Sequence, residues 1–172
     1  MSAASVDMVT EASGPRIGAV LNINNPEFND SRDQPGFTAR RAKMGFQGGA
    51  VKTGLSYWEV DAGQAAYPYH AHLTEEEIVV ILEGRPSLRT PDGWRELAPG
   101  EVVVFPTGEK GTHQIVNKTE STVRFLAFSN SGDPEVVIQV DPGKYGVRDG
   151  GSQTTEWFRK EDTVGYFEGL DA

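Results

Sequence analysis

Short apolar runs set between turn residues recur along the chain from Leu55 to Val140. They fall near Leu55–Val60, Glu77–Glu83, Ser87–Thr90, Glu101–Phe105, His113–Asn117, Val123–Phe128 and Glu135–Val140. Each is too short for a stable helix and is flanked by turn-forming residues, so each is predicted as a β-strand. Pro91-Asp92-Gly93 follows one of them as a hairpin turn, since Pro presets φ and Gly tolerates a positive φ. Upstream the pattern loosens. Ala19–Ile23 reads as a short strand, Asn24–Gly36 as a turn-rich stretch, and Thr38–Lys43 as a basic surface loop carrying Arg40, Arg41 and Lys43. Residues 1–15 are small and polar and are expected to be disordered.

Two runs bear on layering. Ile78-Val79-Val80-Ile81-Leu82 is apolar at every position and Val102-Val103-Val104-Phe105 is similar, whereas a strand with one wet face alternates. Both strands are therefore expected to be covered on two sides, by a rolled sheet on one and a second sheet, terminal arm or partner subunit on the other. The 172 residues suffice for one core, and 20 Gly with 10 Pro fit an all-β domain rich in turns. The formal net charge of −9 disfavours nucleic acid and anionic membrane as partners. The chain has no cysteine, which excludes disulfides, thiolate chemistry and iron–sulfur clusters and agrees with a cytoplasmic protein. No run approaches the roughly 18 apolar residues of a membrane span, and no secretory leader is expected from the first residues.

The chemistry concentrates at the histidines. All three lie in two short motifs: Tyr69-His70-Ala71-His72 followed by Glu75-Glu76-Glu77, and Gly100 to Pro106 followed by Gly108, Gly111, His113 and Asn117. Imidazole and carboxylate suit a borderline divalent metal, so the pattern points to two or three histidines and a glutamate around one ion. On a strand, residues i and i+2 share a face, which turns His70 and His72 the same way.

The spacing resembles that of the cupin superfamily. His70-x-His72, four residues, Glu77, six residues and Gly84 follow the family's first motif, with Gly63 one residue further from His70 than usual. Gly100, five residues, Pro106-Thr107-Gly108 and then His113, three residues, Asn117 follow the second, with four rather than two residues between Gly108 and His113. The resemblance spans roughly residues 54–128 and implies a double-stranded β-helix, or jelly-roll barrel, with N- and C-terminal extensions. The division it suggests is a barrel with its N-terminal arm over 16–140 and a C-terminal extension over 141–172, held on the barrel by Trp157, Phe158, Tyr166 and Phe167. It also implies His70, His72, Glu77 and His113 as ligands of a divalent transition metal (Fe, Mn, Ni or Zn). Glu76 is the reserve ligand should a one-residue bulge intervene, and Glu75 and Glu76 otherwise read as a solvated turn. The function so implied is that of a small-molecule enzyme of oxygenase or isomerase/lyase type whose substrate chelates the metal. The alternative is a non-catalytic cupin binding a sugar- or acid-like ligand. Tyr57, Glu59 and Arg89 are the candidate acid–base or substrate-contacting side chains, one of Tyr57 and Trp58 is expected to face the barrel, and a homodimer is expected from the two-sided apolar strands.

Overall fold

The computed structural model describes residues 18–149 and 154–170, so the stretch expected to be disordered, 1–15, lies outside the described residues. The strands are β1 (Asp30–Arg32), β2 (Ala39–Ala42), β3 (Thr53–Val60), β4 (His70–His72), β5 (Glu77–Glu83), β6 (Ser87–Thr90) and β7 (Gly93–Glu96). They continue as β8 (Val102–Phe105), β9 (Gln114–Val116), β10 (Val123–Asn130), β11 (Glu135–Gln139), β12 (Lys144–Arg148) and β13 (Glu156–Arg159), with a one-turn helix α1 (Met44–Gln47). One sheet runs β1-β2-β3-β10-β5-β8, a second β13-β12-β11-β4 and a third β7-β6-β9. A His70↔His113 bridge links β4 of the second sheet to the residue before β9 of the third, and Ala65↔Val116 ties the segment before β4 to β9, so an antiparallel sandwich rolls into the expected all-β jelly roll.

Strand alternation decides what each sheet face carries. On the inner face of the six-stranded sheet Trp58 lies opposite Phe125 and Phe125 opposite Ile81. These residues pack with Val60, Val79, Phe105 and Val123, and with Leu88, Leu97 and Ile115 from the other side, as the main core. The adjacent row points outward and is ionic. Arg40, Glu59, Arg124 and Glu83 occupy consecutive strands in register, with Arg40 bonded to Glu59, Arg124 Nε 2.8 Å from Glu59 Oε1, and Arg124 bonded to Glu83.

The N-terminal segment covers part of the outer face. Ala42, Met44 and Tyr57 form a second cluster with Ile23, Phe28, Leu55, Leu82 and Leu126. Tyr57 thus lies under this arm while Trp58 faces inward. Residues 19–23 form no strand, the turn-rich stretch contains β1, and the basic stretch Arg40–Lys43 is largely strand β2 rather than a surface loop. Short strands of this kind escape a periodicity reading because their alternation is masked by charged side chains lying flat on aromatic rings. The cover stops short of β8. Val102 and Val104 are each 58% exposed, next to exposed Ile78 and Phe128, so among the described residues the expectation of two covered faces is not met at this corner.

The C-terminal segment attaches by strand pairing, β12 on β11 and β13 on β12. Trp157, Phe158, Tyr166 and Phe167 are exposed and do not act as buried anchors. The ladder bonds do the holding, and Trp157 lies against Gly146, where an added Cβ would come within 2.8 Å of its ring. No helix among the described residues is long and apolar enough to cross a membrane.

Asn117 ties the ends of several strands. Fully buried, its Nδ2 donates to Val60 O (2.9 Å) and Ser121 O (2.7 Å), while its Oδ1 accepts from Thr119 N (3.0 Å) and Thr119 Oγ1 (2.7 Å). Asn117→Ala leaves buried carbonyls without donors and should cost about 1–3 kcal/mol. Urea unfolding monitored by tryptophan fluorescence should show it well below wild type and well below Thr119→Ala, which deletes only the more exposed bonds.

Candidate metal centre

Four side chains meet where the two faces of the jelly roll approach. His70 and His72 project from the same side of β4, and Glu77 projects inward from the start of β5, in line with Val79 and Ile81. His113 arrives just before β9 from a 3-10 turn over Glu109–Gly111. That turn requires glycine at Gly111, where a Cβ would sit 1.7 Å from Pro106 O. Phe105 stacks face to face on the His113 ring (3.7 Å, 4°), and Tyr67 meets His70 and His113 edge-on at 4.8 and 5.4 Å.

The reactive atoms converge. Glu77 Oε2 lies 3.1 Å from His113 Nε2, 3.5 Å from His72 Nε2 and 3.9 Å from His70 Nε2, and His70 Nε2 lies 3.0 Å from His72 Nε2. Single ligand atoms of His70, Glu77 and His113 all fall within 4.8 Å of one another, the spread that one bound ion can bridge.

Each imidazole has its other nitrogen committed. His70 Nδ1 donates to Pro68 O (3.0 Å), His113 Nδ1 to Gly111 O (2.8 Å) and His72 Nδ1 to Glu135 Oε1 (3.2 Å). Carbonyl and carboxylate oxygens only accept, so the protons reside on Nδ1 and the three Nε2 lone pairs are left bare. His113 Nε2 is buried with no hydrogen-bond partner; Glu77 is near but off the bonding direction. Lone pairs of His70 and His72 at 3.0 Å repel unless a cation or proton stands between them. The donor set and its bare lone pairs fit a divalent ion.

The electrostatics of the site are uneven. Burial, then the charges of His113 and His72, push His70 down from 6.5 to about 3. Burial alone would raise the Glu77 carboxyl, but the close approach and charge of His113, then the charges of His72 and His70, outweigh it and hold it at about 2. Burial would lower His72, but the bond to Glu135 and the charges of Glu77 and Glu75 outweigh that and raise it.

Two acidic partners behind His72 were not visible beforehand. Glu135, 1% exposed, accepts from His72, from Leu73 N and Thr74 N (both 3.1 Å) and from the Thr74 hydroxyl. Its place as first residue of an apolar strand reads as a surface terminus, and only the β4–β11 pairing, which sets Val137 opposite His72, brings it under the site. Glu75 is not a solvated turn carboxylate. It is buried, 3.8 Å from His72 Nδ1 and 2.5 Å from Arg148 Nη2. Glu76 is exposed, its amide donating to Asn130 Oδ1.

The cluster opens into a cleft of about 1080 Å³, large for a small-molecule site. Trp58 and Tyr67 line it beside His70, His72 and Glu77, and the cations Arg32, Arg41, Lys43, Lys144 and Arg148 stand around it. The three side chains singled out earlier as candidates lie elsewhere. Tyr57 is under the N-terminal arm, Glu59 is in the outer ionic row, and Arg89 pairs with Asp141 (2.7 Å) above the Tyr69 ring (4.0 Å).

Comparison with known proteins places this geometry. Residues 56–129 match the Cupin domain family, so the chain carries a cupin domain. No curated protein sequence matches it. A sugar phosphate isomerase of the cupin superfamily from Silicibacter pomeroyi superposes with a TM-score of 0.74 at 22% identity, over 84% of this chain and 95% of that one. A candidate sugar phosphate isomerase of Acidithiobacillus ferrooxidans gives 0.71 at 25% identity over 81% and 88%. A polyketide cyclase of Streptomyces resistomycificus gives 0.56 at 27% identity over 66% and 80%.

His70 sets a pH dependence. Its folded value near 3 lies below the 6.5 of the unfolded chain, so the unfolded state takes up the extra proton between those values and stability falls as pH falls through that window. In chelator-treated protein, the urea midpoint should drop from pH 6.5 to 4.5 more steeply for wild type than for His70→Gln. Parallel slopes would show that His70 is not held neutral.

Proposed function

We propose that this cupin is a metal-dependent enzyme acting on a small molecule, with His70, His72, Glu77 and His113 holding one divalent transition ion, Fe, Mn, Ni or Zn. The observation that carries the reading is the 3.0 Å approach of the His70 and His72 Nε2 atoms while both Nδ1 protons are engaged elsewhere. Four donors leave open positions for a chelating substrate. A divalent ion bound there supplies Lewis acidity toward a carbonyl or hydroxyl oxygen.

The chain's own residues do the rest. Burial, aided by the nearby Glu77 charge, raises the Tyr67 hydroxyl well above 10, so it stays protonated as a hydrogen-bond donor at the cleft wall. Glu135 and Glu75 hold the His72 ring, and Arg148 brings the C-terminal segment to the same point. The likeness to the Acidithiobacillus protein favours isomerase or lyase chemistry over oxygen chemistry. A second reading, a binding protein without turnover, draws on one observation: none of Tyr57, Glu59 and Arg89 reaches the cleft.

His70→Ala, His72→Ala, His113→Ala and Glu77→Gln should each abolish stoichiometric metal by elemental analysis. Glu135→Gln, which acts through the His72 ring, should weaken binding by about 10–100-fold. Adding metal to the stripped wild type should raise the thermal midpoint through linkage. An unchanged melt with no metal bound would remove the reading.

Assembly belongs to the same proposal. The uncovered corner formed by Ile78, Val102, Val104 and Phe128 adjoins the free edge of β8, and we assign it to a second copy of the chain in a two-fold dimer. Sedimentation at micromolar concentration should show a dimer for wild type and a monomer for Val104→Asp. A monomeric wild type would mean that this corner stands free.

A further inference from the structure

One wall of the cleft carries more positive charge than its neighbours neutralise. Arg32 and Asp30 share a face of β1, Arg41 lies opposite Asp30 on β2, and Trp58 lies opposite Arg41 on β3. Asp30 accepts from Arg41 Nε at 2.9 Å and lies 3.3 Å from Lys43 Nζ, so one carboxylate serves two cations. Arg32 has none: its bond is from Nη1 to the carbonyl of Ala66 (2.7 Å), and no carboxylate of the described residues is within ion-pair distance of it. Asp33, next along the chain, makes no ion pair with it and is exposed. Burial, then the charge of Arg41, lowers the Arg32 guanidinium, and Asp30 offsets this only in part.

We propose that Arg32 is the anchor for a phosphate monoester on the substrate, whose other end reaches the His70–His72–Glu77–His113 cluster. The inference rests on the metal-site reading for the placement of that other end. Geometry supports the anchor independently. A guanidinium has five donors, and one of Arg32's is taken by Ala66. The guanidiniums of Arg32 and Arg41 each lie over the Trp58 ring at 4.9 Å, which holds them with little freedom left to lose on binding. Trp58 meets Tyr67 edge-on at 5.7 Å, and Tyr67 meets His70 at 4.8 Å, so anchor and donor cluster are separated by two rings within one cleft. Arg32, Arg41 and Lys43 outnumber the one carboxylate of the described residues, Asp30, that pairs with any of them, and the remaining fork donors of Arg32 suit the several oxygens of a phosphate.

The test uses metal-loaded protein with inorganic phosphate and acetate as probes, titrated calorimetrically. Wild type should bind phosphate more tightly than acetate. Arg32→Gln should weaken phosphate at least about tenfold, as expected for a lost charge-assisted pair, while its metal content stays at the wild-type level. Arg32→Lys, which keeps charge and loses the fork, should fall between them, and Arg89→Gln, outside the cleft, should match wild type. Undiminished phosphate binding in Arg32→Gln overturns the anchor, and equal affinity for acetate overturns the phosphate assignment. A wild type that binds no metal but loses phosphate on Arg32→Gln would retain the anchor and dispose of the metal reading alone.

Discussion

The structure turns on where three imidazole protons are kept. Pro68 and Gly111 each offer a backbone carbonyl, and Glu135 offers a carboxylate, to the Nδ1–H of His70, His113 and His72. With those protons fixed outward, the Nε2 lone pairs have nowhere to point but toward Glu77 and one another. The bond to Glu135 also makes His72 a stronger donor, because a carboxylate partner draws on the far proton. Much of the surrounding fold follows from this need. The Glu109–Gly111 turn aims a carbonyl at His113, Phe105 clamps its ring, and the His70↔His113 bridge brings two sheets together at that point.

Outside and inside of the six-stranded sheet answer to different constraints. The inner rows are aromatic and aliphatic and grade into the cleft at Trp58 and Glu77. The outer row of alternating Arg and Glu sets strand register without adding apolar surface, since a one-residue slip would set Arg40 and Arg124 opposite Val60 or Trp58 instead of Glu59. Glu59 is buried between Arg40 and Arg124, whereas the outlying Arg124–Glu83 pair is more exposed and contributes little to stability singly.

Seven strands and the four converging side chains were legible because their signals are local. Alternation marks β3 and β10, a continuous apolar run marks β5, and i, i+2 spacing places His70 with His72. What escaped depends on long-range pairing. Glu135 is 63 residues from His72, and Arg148 is 73 from Glu75. A charged residue at a strand end reads as solvent-facing until its partner strand is known. Arg41 and Lys43 were hidden likewise: a basic cluster in an acidic chain looks like surface until Trp58 is seen beneath it.

The tail woven onto β11 bears on modularity. The residues matching the Cupin domain family end at 129, yet the carboxylate that orients His72 and the guanidinium that grips Glu75 both follow that boundary. The unit defined by recurrence across proteins is therefore smaller than the unit that is chemically whole. A graft of the recurring barrel into another scaffold would carry all four donors and leave behind the groups that orient one of them. Changes in the appended strands can thus alter how His72 is held while the four side chains carried by the barrel stay as they are.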